Sequence, residues 1–555
     1  MLVGLDMGGT HIDGAIIDNK KIVKALKNIT DRDDLFKTIW TTLKELLEGI
    51  DKSKISRINL STTVSTNAIV EKKVSTVGMI VQSGPGMNYD FGDASDQLAF
   101  ISGYIDHRGT VVKEIEQNEI FSIRSDFTAN NIESVGIVSK FSTRNPGHEK
   151  QISELLGDDF DSITMGHSLS GKLNFPRRVH TTYLNAAVTR TFNDFAINIE
   201  KSLKEEGIDV PVYILKADGG TMDLETAKKK SVETILSGPA ASIMGLSAFF
   251  SESEDGVLLD IGGTTTDIFF VADGVQLFEP LGATIDTHKT LIRAIYSASI
   301  GLGGDSYARV EDNRLKIGPQ RMGAPIAFGG DYLTPTDAMV ILGKLDGGNK
   351  DKVALAMDKF AQELNLDTKA AAHKILDEMA SSIKEKVDAL LQEINSHPVY
   401  TIKELLEDAK IEPKFVNIIG GPAKILAPLL GDKFKLKVKY PTRYAVANAV
   451  GAALAKPTLE INLHADTERR VLSVPEVEIY EKIERNYTLS MAEGRALKIV
   501  RDGAMKLGGA KDDIGVEIVE SSSFNMLRGF SEASKNIRVR AQITPGLIYA
   551  LKGED

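Results

Sequence analysis

Leu5-Asp6-Met7-Gly8-Gly9-Thr10-His11-Ile12-Asp13 decides the reading of this chain, because it occurs twice. At Leu259-Asp260-Ile261-Gly262-Gly263-Thr264-Thr265-Thr266-Asp267 the Leu, the Asp, both glycines, the Thr and the final Asp recur in register. Each copy follows an apolar run (Leu2 to Leu5; Val257 to Leu259) and precedes another (Ala15 to Ile17; Phe269 to Val271). That pattern predicts strand, tight glycine turn, strand. Two such turns predict two related halves that face one another and grip one ligand from both sides.

The physics of the repeat points to a phosphate ligand. Paired glycines let backbone N–H groups approach an anion with no Cβ in the way, and the Thr hydroxyl adds a donor. A carboxylate beside a phosphate is repulsive unless a cation intervenes. Asp6 and Asp260 therefore point to Mg²⁺ held largely through water. Taken singly, either copy also reads as a plain hairpin turn; the repetition at matching places favours the ligand.

Moving outward, residues 1–25 read as a hairpin with a turn at Asp18–Lys21, and residues 33–50 as a helix with Leu35, Ile39, Leu43, Leu46 and Leu47 at helical spacing. After a strand at Ile58–Leu60, Ser61-Thr62-Thr63-Val64-Ser65-Thr66-Asn67-Ala68-Ile69-Val70-Glu71 enters a helix that Thr66 or Asn67 can cap. The same clustered hydroxyls at a helix start also suit a polar or anionic substrate group. Val77–Val81 reads as a strand, residues 87–125 as irregular, and Asp106-His107-Arg108-Gly109 as a polar turn. His167 follows a strand at Ser162–Met165, where it either polarises a substrate or makes a structural hydrogen bond.

Arg178 to Arg190 and Asn193 to Glu206 read as successive helices. Leu236-Ser237-Gly238-Pro239-Ala240-Ala241-Ser242 opens a small-residue helix, and residues 351–395 form an apolar helical stripe that is core. Phe415–Ile419 is a strand running into Gly420-Gly421-Pro422-Ala423, and Ala445–Ala455 is another small-residue helix. Residues 458–555 alternate strands with one helix at about Ala492–Leu507.

Bulk properties bound the answer. The chain has 555 residues, enough for about two to four domains, and its 42% hydrophobic content is ordinary for globular proteins. A net charge of −11 argues against nucleic acid as the main ligand. The absence of cysteine removes disulfides, thiolate nucleophiles and iron–sulfur clusters. With no signal-peptide pattern and no apolar run near the ~18–20 residues that span a bilayer, a cytoplasmic protein without membrane contact is expected.

The two D-x-G-G-T tracts resemble the phosphate loops of the ASKHA superfamily, which includes acetate and sugar kinases, heat-shock chaperone ATPases and actin. Within it the chain resembles the hydantoinase A / 5-oxoprolinase / acetone carboxylase family from about Leu2 to Ala455. Thr62 to Glu71 matches its T-T-V-x-T-N-A signature, and Arg178 to Ala187 its R-x-x-T-T-x-L-N-A. Departures occur at Gln82–Gly86, at Asp305, where the family has glycine, and at Arg321, where it often has serine.

The resemblance implies an α/β fold of duplicated ribonuclease-H-like domains, with expected units 1–185 and 186–456 and a small α+β appendage at 457–555. It implies ATP and Mg²⁺ as cofactors, with phosphates on Gly8, Gly9, Thr10, Gly262, Gly263, Thr264 and Thr265. Asp6 and Asp260 hold the metal, Asp13 or Asp267 orients the attacking group, and Gly420, Gly421, Pro422 and Ala423 lie by the adenosine. Thr63, Thr66, Asn67, His167, Thr181 and Asn185 are the implied substrate residues, with His107 and His288 left open between metal, substrate and neither. The implied activity is ATP-dependent opening of a hydantoin, N-methylhydantoin or 5-oxoproline-like lactam through a phosphorylated carbonyl. A carboxylase subunit and a small-molecule kinase are the alternatives. A hydantoinase B-like subunit and an oligomer are the implied partners.

Overall fold

The structure is a computed structural model that describes residues 1–9, 11–31, 35–86, 90–312, 314–396, 410–506, 515–528 and 531–552. Its frame is two sheets with the same strand plan. In the first, the order is Thr221–Asp223, Val212–Leu215, Arg57–Thr62, Leu2–Met7, His11–Asp18, Lys21–Ile29. Leu2–Met7 runs antiparallel to His11–Asp18 and parallel to Arg57–Thr62, which is parallel in turn to Val212–Leu215. In the second, Gly256–Ile261 takes the central place, antiparallel to Thr266–Ala272 and parallel to Phe415–Ile419, with Lys437–Lys439 parallel beyond it. This is the duplicated ribonuclease-H-like arrangement.

The central strands read as continuous apolar runs because both of their faces are covered. Helices Leu35–Leu47 and Phe175–Glu205 close one side of the first sheet over Val3, Leu5, Ile16 and Leu60. Helices Lys350–Glu363, Thr368–Ser396 and Ala423–Phe434 close the far side of the second over Val257, Leu259 and Ile418. Between the sheets lie Ser237–Phe249 and Ala447–Leu454, packed on Leu2, Ile17, Leu258 and Phe269. Here small residues are obligatory. A Cβ on Gly451 would stand 2.3 Å from the Ala241 carbonyl oxygen, one on Gly245 2.3 Å from that of Ala447, and one on Gly4 2.1 Å from that of Ala449.

Two further layers sit on this frame. Ser162–Met165, Ser134–Ser139, Val77–Gln82 and Gln97–Phe100 make a four-stranded parallel sheet. The C-terminal α+β appendage is a five-stranded antiparallel sheet, ordered Ile479–Lys482, Val471–Val474, Glu460–Asp466, Ser531–Ile543, Val516–Arg528, with helix Leu489–Lys506 on one face.

Four local expectations are corrected. Lys21–Ile29 adds a third strand to the first hairpin. Residues 87–125 contain short strands and the helix Gln117–Ala129, which buries only Ile120 and Phe127 and so shows little periodicity. The two helices expected at 178–206 are one, Phe175–Glu205, because nothing at Thr191–Asn193 interrupts the backbone ladder. Helix Val64–Val70 begins after Thr63, and neither Thr66 nor Asn67 caps it. Among the described residues, no helix is long and apolar enough to cross a membrane.

Candidate functional site

The two glycine turns are built alike. Gly8 N–H donates to the His11 carbonyl at 3.0 Å, and Gly262 N–H to that of Thr265 at 2.9 Å. On the strands that flank them Asp6 stands opposite Asp13, and Asp260 opposite Asp267. Apart from its chain neighbours, no described residue lies within 4 Å of a Cβ built on Gly9. Thr264 is half-buried and Thr265 exposed at the second turn; Thr10 lies outside the described residues.

The turns face each other across a common charge cluster. Asp260 Oδ2 accepts from Ser242 Oγ at 2.7 Å and from Asn448 Nδ2 at 3.1 Å. Asp6 is buried and its Oδ1 has no hydrogen-bond partner. Burial, and then repulsion from Asp13 and Asp260, pushes the Asp6 carboxyl up to about 7, against the lowering effect of Ser61 and Asn448. Asp267 is raised to about 7 by burial and by the Asp260 charge. Asp13 is raised to about 6 by burial, although Lys27 Nζ pairs with it at 2.8 Å and pulls the other way. His11 is lowered by burial and by the positive charges of Lys27 and of Arg321 from the opposite half.

A cluster of carboxylates whose own burial disfavours their charge is one that a cation would restore. The orphaned Asp6 Oδ1 meets that requirement. No three acidic or histidine side chains converge as direct metal ligands among the described residues. That donor set fits a magnesium ion carried mainly by water and phosphate oxygens, with one or two carboxylates at its edge.

The loop 300–306 packs directly onto the second turn. Gly304 N–H donates to the Gly262 carbonyl at 2.9 Å and Asp305 N–H to that of Gly263 at 2.6 Å. Gly303 comes so close that a Cβ would stand 2.5 Å from Gly263. Asp305, which replaces the expected glycine, is tied down by Arg321 at 3.1 Å and by the Thr336 hydroxyl at 3.1 Å. Asp305 and Arg321 are thus joined as an ion pair beside the second turn. Gly420, at φ +94, would place a Cβ 2.2 Å from the Ile261 carbonyl oxygen and 2.8 Å from Asp260 Oδ1. Gly421 has open space, and Ala423 begins the helix that follows Pro422.

The expected substrate residues divide. Thr63 donates to the Met7 carbonyl at 3.1 Å and accepts from Asn67 Nδ2 at 3.2 Å, which places both beside the first turn. Thr66 Oγ1 accepts from Leu236 N–H at 3.4 Å. Asn185 instead clamps backbone: its amide donates to the Lys229 carbonyl at 3.1 Å and accepts from Val232 N–H at 3.1 Å. Thr181 bridges the Arg177 carbonyl and Leu291 N–H. His167 is fully buried, and its Nδ1 lies 2.5 Å from Glu149. His288 Nε2 donates to the Asp93 carbonyl at 2.8 Å. The turn at Asp106 forms as expected, and its Arg108 pairs with Asp466 at 2.8 Å.

Asn448, Ser242 and Lys27 were not among the residues picked out from the sequence. Asn448 carried a signal, being the only polar residue between Ala445 and Ala455. Lys27 carried none, because its role depends on the third strand.

A two-sheet fold with paired glycine turns between its halves is thus in place. The profile described as Hydantoinase/oxoprolinase matches residues 178–461, and that of the Hydantoinase/oxoprolinase N-terminal region residues 2–159. The chain belongs to the hydantoinase/oxoprolinase family. It is 27% identical over 407 residues to the acetophenone carboxylase gamma subunit of Aromatoleum aromaticum, covering 63% of this chain and 54% of that protein. It is 24% identical over 476 residues to the caprolactamase subunit alpha of Pseudomonas jessenii, covering 79% and 67%. The chain thus spans about half to two thirds of the length of these relatives. The crystal structure of the ATP-dependent caprolactamase from Pseudomonas jessenii shares the fold, with a TM-score of 0.71 at 19% identity over 98% of this chain and 87% of that one.

Proposed function

We propose that this chain is the ATP-using component of a cyclic-amide hydrolase. The observation that carries the reading is the facing pair of D-x-G-G-T turns, whose Asp6 and Asp260 share one electrostatic field and the Asn448 side chain. Asp6 and Asp260 would hold Mg²⁺ through water. The N–H groups of Gly8, Gly9, Gly262 and Gly263, with the Thr264 and Thr265 hydroxyls, would receive the phosphates, and Gly420 to Ala423 the adenosine.

A five-membered lactam or hydantoin resists opening because its ring closure is favourable. Transfer of the ATP γ-phosphoryl group to the carbonyl oxygen would give an imidate phosphate that water can attack. The C–N bond would then break with a proton passing to nitrogen, and a second water would release phosphate from the acyl phosphate left behind. The residues' own work is positioning and charge stabilisation. Thr63 and Asn67, hydrogen-bonded beside the first turn, would orient the amide. Asp13 or Asp267, whose carboxyls burial raises, would orient the attacking water. A hydantoinase B-like subunit is the partner this reading expects, since the caprolactamase relative is named as one subunit.

The 27% identity to a carboxylase gamma subunit supports a second reading, phosphorylation of an enolisable ketone ahead of carboxylation. One assay separates the two. Phosphate release with Mg²⁺-ATP is followed against hydantoin, N-methylhydantoin, 5-oxoproline, caprolactam and simple ketones, with and without bicarbonate and a candidate B-like subunit. Ring-opened product in step with phosphate establishes the amidase. Stimulation only by ketone plus bicarbonate establishes the carboxylase. A stable phosphorylated product in place of free phosphate points to a kinase, and no stimulation with the partner present overturns the reading.

A further inference from the structure

Far from the glycine turns in sequence, the appendage sheet turns one face to its helix and the other to the rest of the molecule. Strand alternation decides which residues go where. Ile461, Leu463, Ala465, Ile537, Val539 and Ala541 are buried against helix Leu489–Lys506. Asn462, His464, Arg538 and Arg540 occupy the opposite face, where Arg538 is the cross-strand partner of His464 and Arg540 of Asn462. This polar face, together with Arg144 and Lys172, lines an open cavity of about 370 Å³ in which Arg144 is buried and Arg538 exposed.

The charge in this cavity is unbalanced. Four of its lining residues are cationic, and Glu520 is the one acidic lining residue. Glu520 lies 3.5 Å from Arg540, and Lys172 lies 3.5 Å from Glu460. Arg144 and Arg538 have no ion-pair partner among the described residues. Arg144 is only 8% exposed, and its Nε makes no hydrogen bond. The nearest buried carboxylate, Asp466, is engaged by Arg108 through both of its oxygens. His464 Nε2 is taken up by the Asn536 amide at 2.9 Å. Burial, then the positive charges of Arg144 and Arg538, hold His464 in the neutral form; burial, then the Arg538 charge, lower Arg144 to about 9.

The adjoining cavity is a built-in comparison. It shares Lys172, Leu291 and Asn462 with the first and measures about 610 Å³. There the buried cation Lys216 is matched by Asp218 at 3.3 Å and Glu233 at 3.4 Å. A buried, unpaired guanidinium is costly to retain unless a partner arrives. A planar fork of donors is suited to an oxyanion, and the cavity is at the lower end of small-molecule sites.

We propose that the cavity between the appendage sheet and the Arg144 and Lys172 segments binds a small organic anion through a carboxylate or phosphate group, with Arg144 and Arg538 as its principal partners. The site is distinct in sequence and in residues from the nucleotide turns, and the proposal stands whichever reaction those turns support.

The test uses the full chain with glutarate and glycerol phosphate as probes, each titrated calorimetrically against sodium chloride at matched ionic strength. At about 10 mM probe, binding with a Kd of about 1 mM raises the melting temperature by about a degree, and tighter binding by more. Arg538→Gln, on a solvent-facing strand position, is expected to weaken binding about tenfold or more. Arg144→Gln gives the same result if it folds; Lys21→Gln, remote from the cavity, binds as the parent does. Saturable binding of glutarate alone assigns the carboxylate source and of glycerol phosphate alone the phosphate source; either one, if lost in Arg538→Gln, supports the site. No saturable binding of either probe, or equal binding by parent and Arg538→Gln, overturns it.

Discussion

Asn448 Nδ2 donates to Asp260 Oδ2 at 3.1 Å across 188 positions of sequence. The donor rides on helix Ala447–Leu454, which also packs on the first sheet: a Cβ on Gly4 would stand 2.1 Å from the Ala449 carbonyl oxygen. One short helix thus touches the strand that carries Asp6 and the carboxylate of the second turn.

Asp260→Asn tests the metal assignment with little disturbance. The amide oxygen still accepts from Ser242 and Asn448, so the melting temperature should stay near that of the parent. Loss of the charge is expected to lower ATP turnover on the order of hundredfold. Circular dichroism melts and phosphate release measured on the same preparation check both halves of the expectation. Parental turnover by a folded variant would sink the assignment of these turns.

Gly420→Ala asks whether backbone geometry sets the position of Asp260. At φ +94 an added Cβ is strained, and it would stand 2.8 Å from Asp260 Oδ1. Displacement of the carboxylate should raise KM for ATP and lower kcat together, by about tenfold or more. An unchanged kcat/KM would mean that the loop relaxes without moving Asp260.

Gly451→Ala probes the crossing of the two central helices. Its Cβ would meet the Ala241 carbonyl oxygen and the Gly245 nitrogen, both at 2.3 Å and both backbone, so no side chain can swing aside. Destabilisation of about 1–3 kcal/mol or more is expected, read as a lower melting temperature. Because the same helix holds Asn448, turnover should fall further than the loss of folded protein explains.

The frame was legible because it is repeated: two apolar strands joined by D-x-G-G-T carry their own register, and the matched rungs Asp6–Asp13 and Asp260–Asp267 follow from it. Long-range partners were not legible. The backbone bonds of Asn185 and Thr181 could not be read locally, because the carbonyl of Lys229 and the N–H of Leu291 that they engage lie 44 and 110 positions away. Arg144 and Arg538 gave no signal, since their juxtaposition depends on a sheet face that no local pattern links to residue 144. The helix Gln117–Ala129 was hidden for the opposite reason: too few of its residues are buried to set a period.

Glu149 and His167 supply a stability prediction with a definite sign. Both side chains are fully buried, with Nδ1 and Oε2 2.5 Å apart, and Glu149 also accepts from Ser139 N–H at 2.7 Å. Burial alone would raise the Glu149 carboxyl, but the hydrogen bonds and charge of His167 outweigh it and hold the group below its usual 4.5. A depressed carboxyl stabilises the folded state fully above its unfolded value, and the contribution is lost as pH falls through the folded value. The gap in melting temperature between parent and Glu149→Gln should therefore be widest near neutrality and narrow below about pH 4.5. His167→Ala, which leaves the buried carboxylate without its partner, should cost about 3–5 kcal/mol at neutral pH. A melting-temperature gap between parent and Glu149→Gln that stays constant from pH 7 to pH 4 would show that the pair is a neutral hydrogen bond, with no titration coupled to folding.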